Sequence, residues 1–155
     1  MSNIWQTIEG SRALRRARGF TLIEIMVVVI IIGLLAAVIV PQVISKVDEA
    51  RVAKAKQDIQ SLETALTMFR LDNSKYPTTE QGLAALTTQP TDPTIRHWRP
   101  GGYLQHVSKD PWGADYQYTS PGTHVKDYDL YTLGADGQPG GEGQDADIGN
   151  WNMTD

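Results

Sequence analysis

No cysteine occurs anywhere in the chain, which excludes a disulfide framework and any thiolate metal site and leaves the compartment open. Charge is nearly missing from one stretch: between Gly19 and Ser45 the only charged side chain is Glu24. A basic patch is missing from everything that follows. Arg12, Arg15, Arg16 and Arg18 all precede the apolar run, with only Glu9 opposing them, and the formal net charge of the whole chain is −4. The remainder is therefore acidic, and nucleic acid is excluded as a partner because a phosphate backbone calls for a basic footprint. No Gly-x-Ser-x-Gly elbow and no Walker loop is present. His97, His106 and His124 lack metal-ligand spacing and read as surface or packing residues. Trp98, Trp112 and the tyrosines read as core and turn packing rather than a ligand platform.

What the sequence does hold is a long apolar run. Ile25 to Val40 is a nearly unbroken series of Ile, Val, Leu, Ala, Met and Gly. With its flanks it is long enough for a helix of about 20 residues to cross a bilayer. A domain of this size rarely hides so long a run as a core helix. The preceding arginines set the N-terminus on the cytoplasmic side by the positive-inside rule, with everything after about Ser45 on the other. A secretory signal is cut after its apolar region, yet Ala36-Ala37-Val38 runs straight on into more apolar sequence. The small residue Gly19 stands before the run instead. Cleavage there leaves the mature chain its hydrophobic helix, and that helix must have a use.

The chain divides into a basic leader at residues 1–19, a transmembrane or polymerisation helix at 20–44, and a globular domain at 45–155 that includes the second half of the same helix. One long helix is expected from Phe20 to about Asp72. Its second half carries Val52, Ala55, Ile59, Leu62, Leu66 and Phe69 at spacings of three and four, which form one stripe. Gly33 and Pro41 make the stretch between them a weak point, and Pro77 closes the helix. A short second helix is expected over Thr78 to Leu86, where Thr78 and Gln81 have capping-box spacing. Asp110-Pro111-Trp112-Gly113 suits a type I turn. Asp115 to Thr119 and Asp127 to Leu133 read as short strands, and Gly134 to Gly149 as a Gly- and Asp-rich loop, with Trp151 anchoring the tail. The fold class is α+β: a long N-terminal helix, transmembrane then amphipathic, laid on a small antiparallel sheet.

Gly19-Phe20-Thr21-Leu22-Ile23-Glu24, set between arginines and the apolar run, resembles the type IV pilin superfamily. The resemblance implies a prepilin peptidase that cuts after Gly19 and methylates the new N-terminal Phe20. Glu24 needs its own explanation, because a carboxylate inside a membrane costs roughly 2.5–3.5 kcal/mol on insertion scales. One account pairs it with the Phe20 ammonium of a neighbouring subunit, which makes Glu24 an assembly device. The other has it complement its own helix N-terminus.

The rest of the chain narrows the resemblance. Tyr76-Pro77-Thr78-Thr79-Glu80-Gln81-Gly82-Leu83, Asp110 to Gly113, Leu133-Gly134-Ala135-Asp136-Gly137 and Asp145-Ala146-Asp147-Ile148-Gly149-Asn150-Trp151 are together similar to the major pseudopilins of type II secretion. That family implies a helical homopolymer in the periplasm, held at the inner membrane and processed by the prepilin peptidase. It also implies minor pseudopilins and an inner-membrane platform protein as partners, with the secretin and the exported exoproteins reached indirectly. No catalysis is implied. The competing readings are a major type IV pilin, against which the missing cysteines count, and a membrane-anchored periplasmic binding module. The C-terminal loop admits two readings from residues alone, a solvated acidic turn and a calcium site. The resemblance implies Ca2+, with side chains of Asp136, Asp145 and Asp147 and backbone carbonyls near Leu133 and Gln138; Glu142 is a weaker choice.

Overall fold

The computed structural model describes residues 19–153, so the leader before Gly19 lies outside the described residues. They fall into two compact units, one ending at Pro41 and one running from Gln42 onward. Helix α1 spans Leu22–Asn73. It begins with a reciprocal cap: the Glu24 N–H donates to Thr21 Oγ1 at 3.2 Å, and the Thr21 N–H donates to Glu24 Oε2 at 3.4 Å. These two bonds satisfy N–H groups that a helix start otherwise leaves unpaired. The backbone is helical through Gly33 and Pro41, the expected weak point. At the other end Ser74 turns to φ 61° and donates its N–H to Arg70 O at 2.7 Å, while Asn73 Nδ2 donates to Phe69 O at 3.1 Å. Left-handed backbone and a side-chain donor thus close the last turn.

The amphipathic stripe of α1 lies where its spacing put it. Ala55, Ile59, Leu62, Leu66 and Phe69 are buried, and Val52 packs at the edge of the same cluster. They meet Leu83, Ala85, Leu86, Ile95, Leu130, Ile148 and the rings of Tyr116, Tyr118 and Tyr128. Each ring enters the core while its hydroxyl finds an acceptor. Tyr116 donates to Asp58 Oδ2 at 3.0 Å, Tyr118 to Pro77 O at 2.8 Å and Tyr128 to Glu63 Oε1 at 3.4 Å. Burial pushes the Tyr118 hydroxyl up to about 12, so these groups donate across the physiological range.

The second helix differs from expectation. Thr78 and Gln81 do form their box, with Thr78 N–H to Gln81 Oε1 at 3.0 Å and Gln81 N–H to Thr78 Oγ1 at 3.3 Å. Gly82 then adopts φ 55°, and only a single 3-10 turn, Leu83–Leu86, follows. The glycine turns the box into a hinge between two tight turns. Gly113 N–H donates to Asp110 O at 3.1 Å, closing the expected turn. Asp110 ties it down, its Oδ1 accepting from the Trp112 and Ala114 N–H groups and its Oδ2 from the Thr132 hydroxyl.

The sheet has three antiparallel strands in the order β1-β2-β3. Strands β1 (Gln117–Thr119) and β2 (Asp129–Thr132) are the expected pair, each shorter than read. Their register places Tyr118 opposite Leu130. The third, β3 (Ile148–Gly149), was not expected and pairs Thr132 with Ile148 and Tyr131 with Gly149. It is the return of the acidic loop, so β2 and β3 form that loop's neck.

Candidate functional site

Two regions carry candidate chemistry. The first is the start of α1. From Leu22 to Ile39 the helix is long and apolar enough to cross a membrane, and none of that window is buried in the fold. Phe20 precedes it at 79% exposure, and among the described residues nothing lies within 4 Å of a Cβ placed on Gly19. Glu24 is exposed and engaged with Thr21. In the single chain it therefore serves its own helix N-terminus. The Thr-x-x-Glu spacing that signals this box was available in the sequence.

The second region is the loop from Leu133 to Asp147. Ala135 N–H donates to Gln144 O at 2.9 Å, and Asp147 N–H donates to Gly140 O at 3.1 Å. Gly134 (φ 67°) and Gly141 (φ 82°) permit this closure: a Cβ on either would stand 2.7 Å from the Asp145 carbonyl carbon, so no other residue fits. Asp136 is exposed, and its Oδ1 accepts from the Gln138 N–H at 3.0 Å. Asp147 Oδ2 accepts from the Gly140 N–H at 2.9 Å, while its Oδ1 is buried with no hydrogen-bond partner. Asp145 is half-buried on the single turn Gly143–Asp145, and Leu133 is half-buried where the loop leaves β2. Among the described residues no three His, Asp or Glu side chains already form a metal cluster. The loop therefore presents oxygen donors on a tightly wound backbone rather than a finished cage. Hard oxygen donors and a buried carboxylate oxygen without a donor suit calcium, which takes carboxylates, carbonyls and water together.

The histidines stand apart from this loop's chemistry. His97 and His106 are exposed. His124 stacks on Trp151 with ring centroids 4.0 Å apart, which pins the tail segment as Trp151 was expected to do. His124 also belongs to a nest that sequence reasoning missed. Asp129, only 2% exposed, accepts from the N–H groups of Thr123, His124 and Val125 and from the Thr123 hydroxyl at 2.7–3.1 Å. Burial alone would raise the Asp129 carboxyl; the Val125, His124 and Thr123 donors outweigh it and hold it well below the usual carboxylate range.

An exposed apolar helix that carries one carboxylate near its start and runs on into the core of a small sheet domain defines a pilin-like, membrane-anchored subunit. Comparisons narrow that class. The family model for type II secretion system protein G matches residues 42–151, and that for the prokaryotic N-terminal methylation motif matches residues 14–40. The type II secretion system core protein G of Vibrio cholerae is 56% identical over 93% of this chain and 98% of its own. That of Pseudomonas aeruginosa is 56% identical over 88% and 96%. The crystal structure of the major pseudopilin from the type 2 secretion system of enterohaemorrhagic Escherichia coli aligns with a TM-score of 0.61 at 46% identity, covering 70% of this chain and 92% of that one. The chain belongs to the type II secretion system protein G family, and its function is that of a pseudopilin, a structural subunit that assembles with itself and with other parts of the secretion system.

Proposed function

We propose that this pseudopilin is made with its N-terminus in the cytoplasm, is cut after Gly19, and is methylated on the amine of Phe20. Residues 20–44 then anchor it in the bacterial inner membrane, residues 45–155 lie in the periplasm, and the chain catalyses nothing. The observation that carries this reading is the window Leu22–Ile39, apolar but for Glu24 and entirely unburied. In one chain none of the described residues covers it. Lipid covers it before assembly, and neighbouring copies cover it in a helical homopolymer.

Glu24 chooses between these states. In lipid its carboxylate keeps the Thr21 N–H. Beside another copy it meets the Phe20 ammonium, which exchanges a desolvation cost for an ion pair. Minor pseudopilins, the platform protein and the prepilin peptidase are the direct partners at the inner membrane; the secretin and exoproteins follow from growth of the filament. In the C-terminal loop the carboxylates of Asp136, Asp145 and Asp147 and the carbonyls of Leu133 and Gln138 would hold one calcium ion. Bound there, the ion neutralises carboxylates that otherwise repel one another.

Deletion of the gene tests the proposal. Exoproteins should accumulate in the periplasm and return to the medium when the full chain is supplied. Undiminished release from the deletion strain would refute it.

A further inference from the structure

The acidic loop is held from outside by a residue that the sequence reading passed over. Asp147 is the last loop residue before β3, and its backbone carbonyl accepts from Asn152 Nδ2 at 2.9 Å. The same amide turns its oxygen to the Gly149 N–H at 2.8 Å, and the Asn152 N–H donates to Gly149 O at 3.1 Å. A primary amide that accepts on one side and donates on the other imitates a peptide group. Asn152 thus brackets β3 and grips both ends of it.

Asn150 does comparable work toward the sheet: its Oδ1 accepts from Leu130 N–H at 3.2 Å and its Nδ2 donates to Tyr128 O at 3.1 Å. Of the two asparagines, it is Asn152 that reaches the loop. Beyond it, Met153 packs against the core, and its carbonyl accepts from Lys56 Nζ on α1 at 3.2 Å. Trp151 lies over Gly149 so closely that a Cβ there would meet the indole at 2.5 Å. The segment that carries Asn152 is therefore clamped on both sides.

We propose that Asn152 is a positioning residue for the metal loop: it fixes the backbone of Asp147, and through it the carboxylate whose Oδ1 is buried without a partner. The inference rests on the calcium reading of that loop. Groups that orient a ligand from behind change metal affinity by about 10–100-fold when removed. By reciprocity, an ion held by Asp147 must tighten the grip of Asn152 on β3.

Calcium is titrated calorimetrically into the full chain in detergent, with parent, Asn152→Ala and Ile59→Val compared at a temperature where circular dichroism shows all three folded. The parent binds, Asn152→Ala binds at least about 10-fold more weakly, and Ile59→Val, which loosens the core without touching the loop, keeps the parent affinity. Equal affinity for parent and Asn152→Ala overturns the proposal and leaves the calcium reading standing. A parent that binds no calcium overturns both. Should Asn152→Ala fail to fold, amide exchange in the parent decides: calcium slows exchange of the Gly149 N–H, which Asn152 holds, and an unchanged rate at Gly149 refutes the coupling.

Discussion

Glu24 and Asp129 are carboxylates of opposite temper. Glu24 is exposed and bound to Thr21 by a long contact, a group that can change partners. Asp129 is saturated with donors and cannot. At Glu24 charge, not size, should matter: Glu24→Gln and Glu24→Leu should insert into the membrane as well as the parent, the leucine better. Filaments seen by electron microscopy on overproduction should nevertheless become scarce, because removing one partner of a buried pair costs about 3–5 kcal/mol. Normal filaments from Glu24→Leu would remove the pairing argument. For Asp129, loss of charge-assisted bonds should cost about 2 kcal/mol in Asp129→Asn. Its folded pKa lies below its unfolded value of about 3.9, so its contribution is present above that pH and is lost as pH falls below it. Urea midpoints between pH 3 and 7 check this: the parent should weaken on acidification more than Asp129→Asn, and parallel curves would contradict the assignment.

At the scale of elements, α1 is the helix on which the soluble core is built. Phe69→Ala should cost about 3–5 kcal/mol in denaturant unfolding. Leu71→Ala, two residues on at 77% exposure, should change stability by less than about 0.5 kcal/mol. Similar losses at both positions would mean that the stripe does not face the core. This stripe was legible because a spacing of three and four, sustained from Val52 to Phe69, admits one buried face. The turn at Asp110 was legible from its own four residues. The second helix was misread because Thr78 and Gln81 form their box as expected, yet Gly82 turns to positive φ directly after it. Strand β3 was invisible for a different reason: two residues carry no periodicity, and what makes them a strand is closure of the loop onto β2. The aspartates of that loop could be read as donors from composition. The bond from Asn152 to the Asp147 carbonyl could not, because the sequence does not say which backbone oxygen a side-chain amide will find.

At the scale of the whole molecule, the apolar helix calls for a cover, and the calcium proposed for the C-terminal loop should add to the stability of the fold. If the loop binds calcium as proposed, the ion at about a hundred times its dissociation constant should add about 2.7 kcal/mol to the folded state, against the 5–15 kcal/mol typical of a domain. The melting midpoint of the full chain in detergent should rise with calcium and fall with a chelator that spares magnesium. Asp136→Ala should abolish the response, and a midpoint indifferent to calcium would remove the ion from the account. The central claim is that the apolar helix is retained and becomes the interior of a filament. The most direct test is the intact mass of subunits in filaments sheared from cells that overproduce the chain with its secretion system. The mass should equal the chain from Phe20 onward plus one methyl group. A filament subunit that still carries residues 1–19, or filaments without this chain, would contradict it.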